Sequence, residues 1–431
     1  MSDKERTYQE IQRKIDNGKA VVLTADEICN RVRSGEKINF EDVDVVTTAT
    51  RGIMSGTYAV FSFKVAEPNS FIKASRVWLN NVPAQVGPCP NERLGVLDLI
   101  VHGTAHSKTN PNYGGGHLFR EIVEGKPITV EIETVEGHWF STHTNIKDMQ
   151  YAKLFGTRHA FRNYLAFVNP VNESLPSIFH AAEFRGNLSE ATFCGCGELN
   201  PIENDPDLQT IGIGTRVMIN GNYGYVSGLG TRSSPGKPNL GGFSDMHEMI
   251  PEYMGGFVTS AGPEIINTWA VPIPVINQDI LDNIVKINSD IELKVVDVSG
   301  RLPLCKTNYA DVWSNVDEEV TYQPSECIDC RVCEVERTCP MGAVTHKRGE
   351  SAAHNPILCF NCGLCTTNCA GNAFSAALGN IDYCTAETEK GIPVVVRQSD
   401  RLRALKAADE LKTKIISGKF KISEPVEYIN L

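Results

Sequence analysis

Residues Ser325–Pro340, SECIDCRVCEVERTCP, place cysteines at 327, 330, 333 and 339. Residues Ile357–Ala373, ILCFNCGLCTTNCAGNA, place them at 359, 362, 365 and 369. Each stretch begins with three thiols spaced every third residue. That spacing lets one short loop wrap three corners of an iron–sulfur cube, while the remote fourth cysteine completes the neighbouring cube. It predicts one [4Fe–4S] cluster on Cys327, Cys330, Cys333 and Cys369, and a second on Cys359, Cys362, Cys365 and Cys339. Structural zinc uses paired C-x2-C hooks rather than triplets. Disulfides are disfavoured in a chain that shows no secretion signal.

This pattern resembles the bacterial two-cluster ferredoxin, in which a proline follows the remote cysteine, as Pro340 follows Cys339. Two details differ. Five residues separate Cys333 from Cys339, which enlarges that loop, and Ala370 stands where a second proline is expected. Neither difference removes a thiol.

A chain of 431 residues is long enough for two or three domains and a substantial core. A formal charge of −11 gives no reason to expect a nucleic-acid partner. The polar start MSDKERTYQEIQRK carries no signal pattern, and no apolar run is long enough to span a membrane. A cytoplasmic protein with no membrane partner is expected.

Periodicity outlines the rest. Tyr8, Ile11 and Ile15 share one helical face, and Gly18 can end that helix. AVVL reads as a short strand. It leads into TADE, where Thr24 and Glu27 have capping-box spacing. Strands are expected at VDVVTT, TYAVFSF, ASRVWLN, ITVEIETV, GTRVMING and IELKVVDV, and a hairpin at NGNYGYV. Helices are fewer, at GGHLFREIVEG and NQDILDNIVK. After the cysteines, IPVVV reads as a strand. SDRLRALKAADELKTKIISG reads as a helix with Leu402, Leu405, Ala408, Leu411 and Ile415 on its apolar face. The expected class is α+β. A large mixed-sheet body covers residues 1–315, a ferredoxin-like segment 316–380, and a strand and helical tail 381–431.

Six phrases in the body carry a resemblance: VDVVTTATRGIMSG, LNNVPA, GGGHLFREIVEGKPITVEIE, RNYLAFVNP, NPIENDPDLQTIGIGTRVMINGNYGYVSGLGT and VPIPVIN. Together they resemble the homocysteine-biosynthesis (HcyBio) domain, from about residue 10 to 305. With the cysteine segment included, the chain looks most like the methanogenesis marker sixteen metalloproteins. The resemblance implies sulfur transfer to L-aspartate semialdehyde to give homocysteine. Turning C=O into CH–SH needs sulfur and two electrons, which gives a reason to fuse a ferredoxin. A small-molecule substrate or sulfur donor and an electron-donor protein are the implied partners. A second reading stays open: a non-enzymatic electron-transfer or maturation factor supporting methanogenesis enzymes.

The resemblance also implies two cysteines that this chain lacks. Ser55 stands where one would follow the VVTTATRGIM phrase, and the second place falls in the cysteine-free stretch from His138 to His143. A serine oxygen cannot carry a persulfide. The candidate carriers are Cys194 and Cys196 in FCGCGE, where Gly195 and Gly197 leave room for one substrate or metal to reach both thiols; metal binding and an inert turn stay open beside the sulfur role. In YGGGHLFRE, Gly115, Gly116 and His117 are candidates to bind a substrate carboxylate or phosphate at a helix start. A plain loop suits these glycines equally. Cys29, Cys305 and Cys384 are expected in the core, and Cys89, in a proline-bracketed loop, is expected to be exposed.

Overall fold

The computed structural model describes residues 5–87, 92–382 and 391–431. Cys89 and Cys384 lie outside the described residues.

The strand Val45–Ile53 is the spine of the body. Its run VVTTATRGI is buried at almost every position, because it lies between two other strands in the sheet interior. Val22–Thr24 pairs with it in parallel on one side, and Gly262–Pro274 antiparallel on the other. Thr57–Lys64 instead alternates buried and half-buried residues, as a strand with one solvated face does. Among the described residues, fourteen strands join one mixed sheet around these elements.

A second, six-stranded sheet runs in the order Pro303–Asn308, Glu292–Asp297, Leu165–Val168, Ala191–Phe193, Ile392–Arg397, Asn380–Ile381. The α+β class with a large mixed sheet holds. The expected capping box also forms: Thr24 Oγ1 accepts from the Glu27 N–H at 3.1 Å, and Glu27 Oε2 accepts from the Thr24 N–H at 2.7 Å.

The C-terminal strand and helix pack into the body. Ile392–Arg397 runs parallel to Ala191–Phe193, and the helix Arg401–Ile416 lies on Val45–Ile53 and Gly262–Pro274. Ala404, Ala407, Ala408, Leu411 and Ile415 enter the main core. The buried face differs from the expected one. Leu402 and Leu405 are only half-buried, while Arg401 and Arg403 are buried. Their carboxylate partners explain this. Arg401 meets Glu198 and Glu318, and Arg403 meets Asp400, so charge can enter an interior that a hydrophobic pattern reserves for leucine.

The cysteine segment lies between the strands Pro303–Asn308 and Ile392–Arg397 in the chain. It has two short ladders: Thr321–Tyr322 with Phe374–Ser375, and Val344–Thr345 with Ala353–His354. Helical turns at Glu334–Thr338 and Cys365–Asn368 follow the two triplets. A small core of its own includes Val320, Val335, Val344, Ala373 and Phe374, with Tyr322 stacked on Phe374 at 4.6 Å.

Candidate functional site

Where the two sheets meet they enclose a cavity of about 430 Å³. The large sheet contributes Ser55, just past Val45–Ile53, together with Arg158 and Glu264 from its strands. The second sheet contributes Cys194, just past Ala191–Phe193, and Gln398, just past Ile392–Arg397. Arg232 and Arg301 complete a cationic wall. Among the described residues, none of these three arginines forms an ion pair. Arg158 lies over the Tyr164 ring at 5.3 Å, and Arg301 donates to the Tyr164 hydroxyl at 2.9 Å. Arginines without carboxylate partners around one cavity suit an anionic guest.

Glu264 faces them. Burial pushes its carboxyl above the usual range, against the pull of the Ser55 hydroxyl and the Ile265 amide. Its Oε2 is buried and has no hydrogen-bond partner among the described residues. A carboxyl whose protonated form is favoured in this way can donate to a carbonyl or hydroxyl oxygen. Its raised native value means that its stabilising contribution is complete below the unfolded carboxyl range and is lost as pH rises through the native value. Raising pH from about 5 to about 8 is therefore expected to lower the melting temperature of the native protein more than that of Glu264→Gln. Parallel melting curves at the two pH values check this.

The structure separates the two thiols of FCGCGE. Cys194 lines the cavity, with its Sγ 3.9 Å from Ser399 Oγ. Cys196 turns away into the main core, where its thiol donates to the Arg51 carbonyl at 3.7 Å. The expectation that one ligand reaches both thiols is thus corrected. The glycines between them serve packing: a Cβ on Gly195 would stand 2.4 Å from Asn163 Oδ1. Tyr309 and Trp313 pin the loop through the carbonyls of Cys194 and Gly195, at 2.7 and 2.9 Å. Burial pushes the Cys194 thiol up to about 12, with Ser399 and then Arg158 pulling the other way. It rests as a protonated thiol.

The glycine-rich helix start lies behind the cavity rather than in it. The Gly115 and Gly116 amides donate to the Ala105 and Gly103 carbonyls, at 2.9 and 2.8 Å. A Cβ on Gly116 would stand 2.9 Å from the Glu264 carbonyl, so this glycine brings the helix close to the strand that carries Glu264. His117 Nδ1 accepts the Gly114 N–H at 3.2 Å, and its ring stacks on Tyr113. None of the three lines the cavity, and the anion-binding expectation moves to the arginines. The stretch from His138 to His143 lies along Trp139–Thr144, a terminal strand of the large sheet, also away from the cavity. Cys29 is buried as expected and donates to the Lys286 carbonyl at 3.6 Å. Cys305 is half-buried on Pro303–Asn308.

The eight other described cysteines fall into two groups. Cys339, Cys359, Cys362 and Cys365 line one small cavity, and Cys327, Cys330, Cys333 and Cys369 line another. Each remote cysteine thus sits with the opposite triplet. Backbone amides point at four of the sulfurs: Ala343 at Cys339 and Ala373 at Cys369, both at 3.3 Å, and Ala352 at Cys327 and Asn361 at Cys359, both at 3.4 Å. Among the described residues, no three His, Cys, Asp or Glu side chains form a group that could hold a single metal ion. No described helix is long and apolar enough to cross a membrane.

Sequence reasoning missed Glu264, Arg158, Arg232 and Arg301. They are scattered over the chain, and pairing between distant strands brings them together. It also missed four buried arginines, Arg51, Arg397, Arg401 and Arg403; Arg51 and Arg403 share Asp400, and Arg397 and Arg403 seat the cysteine segment. Arg403 donates to the Cys359 and Pro356 carbonyls, each at 2.6 Å, and the Arg397 amide donates to the Cys362 carbonyl at 2.8 Å. Three arginines within RQSDRLR, at the start of an amphipathic helix, were the available signal.

The chain belongs to the HcyBio family, described as homocysteine biosynthesis enzymes acting in sulfur incorporation, and matches it over residues 20–422. The match therefore extends past the expected limit near residue 305 to include the C-terminal strand and helix. The chain is 45% identical over 417 residues to an uncharacterized protein of Methanothermobacter thermautotrophicus, covering 96% of this chain and 94% of that one. It is 30% identical over 326 residues to an L-aspartate semialdehyde sulfurtransferase of Methanosarcina acetivorans, covering 72% of this chain and 63% of the relative. The sulfurtransferase of Methanocaldococcus jannaschii is likewise 30% identical, over 324 residues, or 70% of this chain and 62% of that one. The chain thus spans under two thirds of either sulfurtransferase. No solved structure matches it.

Proposed function

We propose that this protein incorporates sulfur reductively into a small anionic carbonyl compound, L-aspartate semialdehyde or a close analogue. In this reading two [4Fe–4S] clusters on the cysteine quartets supply the electrons. The observation that carries the reading is the cavity itself: Cys194 and Ser55 face one space with three arginines that have no carboxylate partner among the described residues. The family, and the sulfurtransferase relatives named for that aldehyde, point the same way.

Two sets of four thiols, each around its own cavity and met by backbone N–H groups, fit iron–sulfur clusters, whose cysteine ligands are thiolates. When bound, such clusters pass single electrons into a site that the protein shapes and shields. The chain's own residues do the rest. Arg158, Arg232 and Arg301 hold the anionic end of the substrate. Glu264 gives its proton to the carbonyl oxygen, which leaves as water. Cys194 presents sulfur in place of the cysteine that Ser55 replaces. With sulfide as donor, RCHO + H2S + 2e⁻ + 2H⁺ gives RCH2SH + H2O. With sulfane sulfur held on Cys194, two further electrons and two protons cleave the S–S bond.

Protein prepared without oxygen is expected to hold about eight irons, because both quartets are complete. A content near four would mean that the enlarged Cys333–Cys339 loop does not support its cluster. Incubation with L-aspartate semialdehyde, sulfide and a strong reductant is expected to yield homocysteine. Absence of homocysteine from protein that holds its full iron would refute the reading and favour the electron-transfer alternative.

A further inference from the structure

We infer that the two cysteine quartets act in series, with Cys327, Cys330, Cys333 and Cys369 taking up electrons at the surface and Cys339, Cys359, Cys362 and Cys365 delivering them to the cavity. The inference rests on the iron–sulfur reading above and adds a direction to it.

The inner quartet touches the body. Cys362 is buried and packs in one apolar cluster with Phe257, Ile266 and Val396. Ile53 packs against that cluster and also forms part of the cavity wall. A second connection runs along the backbone. The Cys362 carbonyl accepts the Arg397 N–H at 2.8 Å, the next residue, Gln398, lines the cavity, and Ser399 Oγ lies 3.9 Å from the Cys194 sulfur. Two hydrogen bonds and two peptide links thus lead from a thiol-bearing loop to the thiol assigned as sulfur carrier.

The outer quartet has no such connection. No cysteine of either quartet lines the cavity, but all four outer cysteines are half-buried, whereas the inner quartet includes the buried Cys362. Among the described residues, the hydrogen bonds of the 327–333 loop go only to neighbours within the cysteine segment, such as His346, Gly349 and Ala352. Ile328 and Val332, within this triplet, are 62% and 63% exposed. The two quartets adjoin, since Val335 and Phe374 line both of their cavities. The order from solvent inward is outer quartet, shared wall, inner quartet, cavity.

Two measurements on iron-loaded full-length protein test this, and neither requires turnover. Cys330→Ser and Cys362→Ser first assign each paramagnetic signal to its site. A soluble dysprosium chelate is then expected to speed relaxation of the outer signal and leave the inner one nearly unchanged. In a redox titration, Gln398→Glu, or the milder Arg158→Gln, adds negative or removes positive charge at the cavity wall. Each is expected to lower the midpoint potential of the inner site and leave the outer one in place. Equal relaxation of both signals, an unmoved inner potential, or an equal shift at both sites would overturn the ordering. Protein that binds no iron would instead refute the cluster reading on which it rests.

Discussion

Cys194→Ser is expected to abolish sulfur incorporation from a sulfane-sulfur donor, lowering turnover by roughly a thousandfold or more, as loss of a covalent nucleophile does. Iron content should stay unchanged. The reason lies in the exchange of positions around the cavity. Ser55 stands where the family pattern places a cysteine, and its oxygen cannot hold sulfane sulfur. Cys194 faces the same space from the opposite sheet. Its high-lying thiol is a weak nucleophile at rest. Arg158 favours its ionised form, so sulfur loading should depend on that guanidinium. Cys196→Ser is the matching control. Its thiol lies in the core against the Arg51 carbonyl, so it is expected to cost about 1–2 kcal/mol of stability and leave turnover per folded molecule as it was. An active Cys194→Ser protein would remove the relocated carrier from the account.

Asp400→Ala is expected to give the largest loss of stability, about 3–5 kcal/mol, seen as a lower melting temperature or as failure to accumulate folded protein. Asp400 is fully buried and is shared by two arginines. It meets Arg51 at 3.1 Å and Arg403 at 2.9 Å, whose side chains are 1% and 6% exposed. Its other oxygen accepts the Arg403 N–H at 3.2 Å and caps the C-terminal helix. The alanine leaves two guanidinium groups in the interior without this partner and removes the cap, a further cost of about 1 kcal/mol. Because Arg403 also holds the Cys359 and Pro356 carbonyls, iron retention is expected to fall with stability. Asp400→Asn keeps a capping oxygen and loses only the charge, so it should fall between the two.

The sequence made local features legible. Period-three thiols gave the two quartets, Thr24 and Glu27 gave a capping box, and alternation in TYAVFSF gave a half-buried strand. What it could not show is long-range assembly. Parallel pairing of Ile392–Arg397 with Ala191–Phe193 draws the C-terminal segment into the body, and that one contact sets Gln398 and Ser399 beside Cys194. Likewise, the helix Arg401–Ile416 buries arginines in preference to Leu402 and Leu405, because carboxylates from residues 198, 318 and 400 wait there. Hydrophobic periodicity has no term for a partner two hundred residues away. The glycines of YGGGHLFRE look the same in sequence whether they cradle a ligand or admit a neighbouring strand; the close approach of the Glu264 carbonyl decides for packing.

The central claim, that electrons held by the cysteine segment reduce a sulfur-bearing carbonyl in the cavity, is tested most directly by a single turnover. Iron-loaded protein is reduced, freed of excess reductant under strict exclusion of oxygen, and mixed with L-aspartate semialdehyde and sulfide. Paramagnetic signal and thiol product are followed together. The account predicts that the reduced signal disappears as homocysteine forms, at roughly one thiol per two electrons lost. A reduced signal that persists in the presence of both substrates, or thiol formed with no loss of electrons, would contradict it.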